Sequence, residues 1–247
     1  MTDKKKNRGI VTGIAVLCVI AAAVVGLYTY QESRTRNDLA KRIVELGKGG
    51  PPVSMDDLRE AIGLYEKQIE QHVKDAAQTG VYWKILGTRF QERGLYSQAL
   101  DAFEHALSFT PEDHSIHYMS GLCAAIVGKS RYDNPVEQDR YFDLAEHAYE
   151  RAMEIAPDYS RPRYSIAVLY VYELARPEDA IPHLMRYLEL SRNNVDGMLL
   201  LAAAYYMTGN DNAALELCDR IPSVTKDKGK IAEAAQFKMS VLNSRYQ

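Results

Sequence analysis

Residues 80–113 read GVYWKILGTRFQERGLYSQALDAFEHALSFTPED, and this stretch decides the fold. Its apolar residues recur at the three- and four-residue spacing of helices, in two runs separated by a short polar turn. Small residues such as Gly87 and Ala99 let two antiparallel helices approach closely, while large ones such as Trp83 and Phe103 fill the remaining space. The stretch therefore predicts a helical hairpin.

The same pattern occurs four times in one frame. Gly87 recurs at steps of 34, 46 and 35 residues, as Gly121, Ala167 and Ala202. Ala99 recurs in step with it, as Ala145, Ala180 and Ala214. The copies occupy residues 80–113, 114–159, 160–194 and 195–228. Because one such hairpin cannot bury its own apolar face, we expect the four to stack on each other.

The first copy resembles the tetratricopeptide repeat. The residues that carry the resemblance are Trp83, Leu86, Gly87, Phe90, Gly94, Tyr96, Ala99, Phe103, Ala106 and Pro111. The resemblance implies an all-α fold, a right-handed solenoid of about four repeats. It also implies that the first helix of each repeat lines a concave groove where peptides bind.

Residues 54–79 and 229–247 are predicted to be helices that cap the two ends of the solenoid. The first has one apolar stripe, formed by Leu58, Ala61, Ile62, Tyr65, Ile69 and Val73. The second has apolar residues at Ile231, Ala235, Met239 and Leu242, with charged residues between them. Such a polar outer face is typical of the end of a repeat array.

The second repeat contains 12 extra residues, which fall within 129–141. This segment is polar and contains Pro135, so we expect it to bulge from the turn between two helices. One extra residue near Pro177 predicts a smaller turn adjustment in the third repeat. The expected N-caps of the first helices are Asp113, Ser160 and Asn194.

Residues 10–30 are predicted to form a single transmembrane helix, preceded by a basic tail over residues 1–9. No charge occurs from residue 10 to residue 28, and at about 1.5 Å per residue this run spans about 28 Å, near the thickness of a bilayer core. A cleaved signal peptide is the alternative, with Ala21-Ala22-Ala23 as a cleavage site. The apolar run continues past that site to Tyr28, which favours a retained anchor.

The compact basic cluster in residues 1–9 predicts a cytoplasmic N-terminus under the positive-inside rule. The repeats would then lie outside the cytoplasm, in the periplasm if the host is a bacterium. Residues 31–53 are predicted to be a short stalk that ends in a Gly/Pro hinge at residues 47–52.

The resemblance places eleven residues on the concave groove. They are Lys84, Thr88, Tyr118, Leu122, Ile126, Arg161, Tyr164, Val168, Tyr172, Leu199 and Tyr206. From the second repeat onward this set is aliphatic and tyrosine-rich. Either tight winding of the solenoid and the C-terminal helix cover it, or it is a groove for a partner helix or extended segment.

Other functions are less well supported by the sequence. Thirty Lys and Arg against 33 Asp and Glu give a net charge of −3, with no basic excess for nucleic-acid binding. Lys84 and Arg161 match basic positions of a chaperone-binding clamp, but Thr88 and Met119 replace its asparagines, so the clamp is incomplete. His114 and His117 lack a third metal ligand, and no catalytic motif is present. We expect no enzyme activity, metal or cofactor.

The sequence therefore predicts a membrane-anchored scaffold that binds partner proteins through its concave groove. Its layout resembles that of anchored tetratricopeptide accessory factors in bacterial envelopes, which points to assembly of an envelope complex or to protein translocation. The alternative is a transport-accessory protein that binds a small hydrophobic molecule in a cavity lined by Tyr118, Tyr164 and Tyr172. The oligomeric state stays open.

Overall fold

A computed structural model describes the backbone of residues 3–48 and 55–244. Side chains are described from residue 20 onward, except those of residues 32, 36, 39, 46–48 and 55–57. The chain divides into two compact units, residues 1–75 and 76–247, which are taken in turn.

The first unit contains α1, Asp3–Lys48, and the beginning of α2, Met55–Glu92. α1 includes the predicted transmembrane segment, 10–30, and runs unbroken into the predicted stalk. Among the described residues, no helix is both long enough and apolar enough to cross a bilayer. The side chains of residues 10–19 and the hinge residues 49–52 lie outside the description. The anchor and the hinge therefore stay predictions.

The helix is not interrupted at the boundary predicted between a capping helix and the first repeat. Residues 55–79 and the first helix of the first repeat form one continuous helix, α2. No proline interrupts this stretch. An isolated glycine such as Gly80 costs only about 1 kcal/mol in a helix, which is too little to force a break. Residues 55–79 therefore continue directly into the first helix of the first repeat.

The second unit is a stack of helical hairpins, as the repeat pattern predicts. Its further helices are α3 (Tyr96–Phe109), α4 (His114–Lys129), α5 (Pro135–Ile155), α6 (Ser160–Tyr172), α7 (Pro177–Leu190), α8 (Val195–Met207), α9 (Asp211–Val224) and α10 (Lys228–Ser244). From α3 on, each helix packs against the next, and α4, α6, α8 and α10 also pack in sequence against one another. That second series forms one layer of the solenoid, and the helices between form the other.

Each hairpin closes on a pair of residues of complementary size. A Cβ on Gly87 would lie 2.6 Å from the Phe103 ring, and one on Gly121 would lie 2.7 Å from the Tyr149 ring. In the third and fourth repeats alanine takes the glycine's place and the ring gives way to a smaller side chain, as Ala167 with Leu184 and Ala202 with Cys218. The helix spacing is maintained because the two sizes compensate.

A second exchange of sizes occurs between the third and fourth repeats. Tyr187 stands where the first two repeats have the buried alanines Ala106 and Ala152. Its ring is accommodated because the next helix has Gly197 opposite, where a Cβ would lie 2.7 Å from the ring. The Tyr187 side chain can therefore lie between α7 and α8.

The insert in the second repeat is mostly helical, so the predicted bulge is wrong. Only residues 130–134 lie between α4 and α5, and the remainder lengthens the start of α5. Asn134 is the N-cap, and its side chain accepts a hydrogen bond from the Glu137 backbone N–H. Pro135 occupies the first helical position, where its fixed φ favours a helix. The adjustment predicted near Pro177 is present as a turn that includes Ala175 at a φ of 50°.

Two of the three predicted N-caps are confirmed. The Asp113 carboxylate accepts from the backbone N–H groups of Ser115 and Ile116, and the Asn194 amide oxygen accepts from that of Gly197. Ser160 is wrong, because the capping position before α6 is taken by Tyr159, which makes no side-chain cap.

Salt bridges connect consecutive repeats at equivalent places. Arg151 contacts Glu112 of the preceding repeat at 2.6 Å, and Arg186 contacts Asp158 at 3.4 Å. The same frame aligns Arg220 with Asn193, which carries no charge. The two bridges form a short ladder that links the second helix of one repeat to the end of the previous one.

Cys123 and Cys218 are free and buried within the stack. Burial raises the pKa of the Cys123 thiol to about 12 and also raises the pKa of Cys218. Both side chains act as small apolar core residues.

Candidate partner-binding groove

None of the eleven predicted groove residues is fully buried. Ile126, Arg161 and Tyr172 are exposed, and the other eight are half-buried. They lie on α2, α4, α6 and α8, the first helices of the four repeats. The set is therefore an accessible surface over much of its length and not simply core.

The groove begins at the first repeat with an ion pair. Lys84 Nζ lies 2.8 Å from Asp113 Oδ2 and donates to Ser115 Oγ at 2.6 Å. Burial pushes the pKa of Asp113 upward, but hydrogen bonds from Lys84 and Ser115 outweigh it and hold the pKa at about 2. Lys84 is thus neutralised by its own chain, which is a further obstacle to a chaperone-type carboxylate clamp.

An aromatic cluster follows at the junction of the second and third repeats. Tyr118 lies edge-on to Tyr159 with ring centroids 5.4 Å apart, and His114 contacts the other side of Tyr159 at 5.0 Å. Tyr118 also contacts the buried Tyr149 ring at 6.2 Å. Burial raises the pKa of both Tyr149 and Tyr159, so these phenols stay neutral and can donate hydrogen bonds.

Tyr159 is a site residue that sequence reasoning missed. Its frame position is the N-cap position that Asp113 and Asn194 fill in neighbouring repeats. A tyrosine there gives up a capping hydrogen bond worth about 1 kcal/mol, and it gains ring contacts with His114 and Tyr118. A comparison of the capping position across the repeats could have found it.

The third repeat continues the aromatic surface. The rings of Tyr164 and Tyr187 pack with their centroids 5.3 Å apart. Val168 is half-buried and packs against the core cluster that includes Ala167 and Leu200. Arg161 and Tyr172 extend from the same helix, α6, into solvent. Tyr172 is 64% exposed, so it cannot line a closed cavity together with Tyr118 and Tyr164. An open trough is the arrangement that the scaffold hypothesis requires.

The C-terminal helix covers the end of the groove. The Tyr206 ring lies edge-on to Phe237 of α10 at 5.9 Å, and Leu199 packs against the cluster of Met198, Ile221 and Ala234. Lys230 of α10 pairs with Asp196 at 2.7 Å. Coverage by the C-terminal helix is therefore correct for the fourth repeat. The accessible groove consists of residues from the first three repeats.

The two histidines considered as metal ligands have other contacts. His117 Nε2 donates to the Pro111 carbonyl oxygen at 2.8 Å, and His114 packs on Tyr159. Within residues 3–48 and 55–244, as far as side chains are described, no three His, Cys, Asp or Glu groups converge as a metal site would require.

A comparison with family models and one with known sequences both find the tetratricopeptide repeat. A family model described as tetratricopeptide repeat matches residues 172–236. A TPR repeat-containing protein of Borreliella burgdorferi is 24% identical over 208 residues, which cover 83% of this chain and 90% of that protein.

Solved structures share the fold at low identity. The MamA crystal structure has a TM-score of 0.54 at 15% identity, covering 80% of this chain and 96% of MamA. A thermophilic tetratricopeptide protein of Thermus thermophilus has a TM-score of 0.55 at 16% identity, with 82% and 98% covered. YrrB, described as having an unusual peptide-binding site, has a TM-score of 0.53 at 20% identity, with 78% and 88% covered.

The hairpins stack on one another, their small and large residues recur in one frame, and their first helices line an open trough. These features define an α-helical repeat protein of the solenoid class. The matched family model and the repeat frame both assign the helices within residues 172–236 to tetratricopeptide repeats. The tetratricopeptide repeat is thereby shown for residues 172–236, and the remaining hairpins follow the same frame.

Proposed function

We propose that this protein is a scaffold that binds a segment of a partner protein in the trough formed by its first three repeats. The observation that carries the proposal is the accessible aromatic and aliphatic surface on α4 and α6, where Tyr172 and Ile126 are 64% and 39% exposed. Tyrosine rings supply large contact areas with little loss of side-chain entropy, which suits them to partner binding.

The charges of the groove indicate what kind of segment fits. Lys84 is already paired with Asp113 at 2.8 Å, and at the covered end of the groove Asp196 is paired with Lys230 at 2.7 Å. A partner gains little from competing with these pairs, since it would have to break them. We therefore expect a helix or extended segment that binds mainly through apolar and aromatic side chains. The peptide-binding site named for YrrB supports this mode by analogy of fold.

We also propose that residues 10–30 anchor the protein in a membrane, with residues 1–9 in the cytoplasm and the repeats on the other side. The support is the uncharged run from residue 10 to residue 28 and the basic tail before it. Tethering raises the effective concentration of the groove for membrane-bound partners. Assembly of an envelope complex or protein translocation is the role that this layout favours.

The groove is tested by photo-cross-linking in cells. A photoreactive residue at Tyr172 should give a discrete adduct with a partner, and the adduct should disappear when Tyr118 and Tyr164 are both changed to Ser. A photoreactive residue at Tyr132 is the matched control, because Tyr132 is an exposed tyrosine outside the groove. Far-UV circular dichroism checks that the double variant stays folded. Equal adducts from both positions, or none from Tyr172, contradict the proposal.

The anchor is tested separately. The full chain should resist extraction of membranes at alkaline pH, whereas a variant without residues 1–30 should be released. A C-terminal tag should be digested by protease in spheroplasts but not in intact cells if the repeats are periplasmic. Release of the full chain at alkaline pH contradicts the anchor without affecting the groove.

A further inference from the structure

The charges that line the trough are paired within the chain, except at Arg161. Three ion pairs bring N and O atoms within 2.7 to 2.8 Å, and they are Lys84–Asp113, Lys129–Glu173 and Asp196–Lys230. Arg161, in the first turn of α6, is exposed, and among the described side chains no carboxylate pairs with it. The trough therefore has an uncompensated positive charge on its third repeat.

The other arginine of this turn serves the fold. Arg163 is half-buried and donates to the Pro157 carbonyl oxygen at 3.2 Å. Burial and the nearby charge of Arg186 lower the pKa of Arg163. Residues two apart on a helix do not share a face, so Arg161 alone of the two arginines points to the trough.

Aromatic rings surround Arg161. Burial raises the pKa of Tyr159, and the charge of Arg161 and its hydrogen bond to the Tyr159 hydroxyl oppose this rise. The Tyr159 ring contacts Tyr118 of the second repeat at 5.4 Å. Tyr164 follows Arg161 by three residues, which places it on the same face of α6 one turn away. The guanidinium is thus held between tyrosines of two repeats.

The neighbours of Arg161 carry no net charge that would repel an anion. Its counterparts in the second and fourth repeats are Ser115, which accepts a hydrogen bond from Lys84 at 2.6 Å, and Asp196, which Lys230 neutralises. The acid nearest in sequence, Asp158, pairs with Arg186 at 3.4 Å. A carboxylate can therefore approach Arg161 without meeting an unpaired acid.

We propose that the partner segment bound in the trough has an Asp or Glu side chain that pairs with Arg161, between apolar residues that pack on Tyr118 and Tyr164. This inference rests on the proposed function and adds the chemistry that selects the segment. A guanidinium offers a planar fork of donors that fits a carboxylate, and such charge-assisted hydrogen bonds are stronger than neutral ones. A Lys or Arg at the same place would be repelled.

The acid belongs to a side chain and not to a C-terminus. A clamp for a C-terminal carboxylate needs donors from several repeats, but Lys84 is neutralised by Asp113, and Thr88 and Met119 replace the asparagines. Arg161 is a single cation within an aromatic surface, so it matches one acidic residue inside an otherwise apolar segment. Since Arg161 is exposed, we expect the pair to change the affinity by about fivefold.

Peptide display on the full chain in mild detergent tests the preferred chemistry. Random peptides are fused through their C-termini, so no free terminal carboxylate is offered. Peptides bound in the trough are those lost when Tyr118 and Tyr164 are both changed to Ser. Their shared motif should contain an Asp or Glu between apolar or aromatic residues. The same selection on Arg161→Glu should enrich Lys or Arg at that position.

A double-mutant cycle tests the pairing itself. For a synthetic enriched peptide with an amidated C-terminus, Arg161→Gln should weaken binding about fivefold. Replacing the peptide's acid with the corresponding amide should weaken it equally, and the two changes together should cost little more than either alone. Arg131→Gln is the matched control and should leave the affinity unchanged, because Arg131 is an exposed arginine in the turn between α4 and α5, outside the trough.

The outcomes separate this inference from the proposed function. Trough peptides without a shared acid, equal losses from Arg161→Gln and Arg131→Gln, or binding that requires a free C-terminus each overturn the pairing but leave the groove in place. If no displayed peptide depends on Tyr118 and Tyr164, the proposed function fails and the pairing with it.

Discussion

At the scale of single residues, Gly87 shows how one missing carbon sets the distance between two helices. The Phe103 ring occupies the space that a Cβ would need, with ring carbons 2.6 and 2.7 Å from that position. The equivalent place in the third repeat tolerates an alanine because Leu184 has replaced the ring. The pair, and not the glycine alone, is the unit that the fold requires.

Gly87→Ala should lower the free energy of unfolding by roughly 1–3 kcal/mol, since the ring or the helix must move. Chemical denaturation measures this change. Adding Phe103→Leu should recover part of the loss by copying the third repeat. Gly63→Ala is the control, because nothing lies within 4 Å of its Cβ position, and it should stabilise α2 by about 0.5–1 kcal/mol. Equal losses at both glycines would refute the packing argument.

The ionisation of Asp113 should make the free energy of unfolding depend on pH. Its pKa is about 2 in the folded protein and about 3.9 in an unfolded chain. A lowered folded pKa contributes stability above the unfolded value, and this contribution disappears as the pH falls from about 4 to about 2.

Asp113→Asn keeps a capping oxygen but loses the ion pair with Lys84, and it should cost about 0.5–1 kcal/mol at pH 7. Asp113→Ala loses both contacts and should cost about 1–2 kcal/mol. Unfolding followed from pH 7 to pH 2 should show a weaker acid dependence in the Asn variant than in the wild type. An unchanged dependence would mean that the Lys84 contact does not hold in solution.

At the scale of elements, the ladder of salt bridges stops one repeat short. Arg151 and Arg186 each reach an acid of the preceding repeat, but Arg220 aligns with Asn193. Asn193→Asp should restore the third pair and raise stability by about 0.2–0.5 kcal/mol. The gain should shrink at about 0.5 M salt because the pair is exposed. It should vanish in an Arg220→Gln background, and a gain that persists there would have another origin.

The elements also show where sequence reasoning succeeds. Spacing alone located the hairpins, because small and large residues must recur in one frame for the helices to stack. The polarity of the insert in the second repeat indicated a bulge, but its helix-start residues, Asn134 and Pro135 followed by Glu137, extend α5 instead. Spacing also divided α2 near Gly80 because the repeat frame starts there, although a frame boundary imposes no break in the backbone.

The groove was predictable only in part, because a position in the repeat does not show how residues of other repeats pack on it. Position in the repeat identified side chains on the first helices, and these are accessible as far as Tyr172. It could not show that α10 covers Tyr206, since that depends on how the last helix packs. It also could not show Tyr159, which occupies a capping position and joins the site through ring contacts with residues of another repeat.

At the scale of the whole molecule, stability depends on neighbours, and α10 protects the last repeat. Removing residues 228–247 would uncover Met198 and Ile221, which pack with Ala234. We expect the fourth repeat to unfold before the others in this truncated chain. Hydrogen exchange should show early loss of protection in α8 and α9, with α4 and α5 unchanged. Uniform loss across all repeats would indicate that the stack unfolds as one unit.

The burial of Cys123 and Cys218 has a practical consequence. Thiolates are the species that maleimide dyes attack, and a thiol pKa of about 12 leaves Cys123 almost entirely protonated near neutral pH. In a Cys18→Ser background, cysteines introduced at the tips of two turns could therefore be labelled with a donor and an acceptor fluorophore without removing the two buried ones. Distances along the solenoid would then become measurable by energy transfer in single molecules.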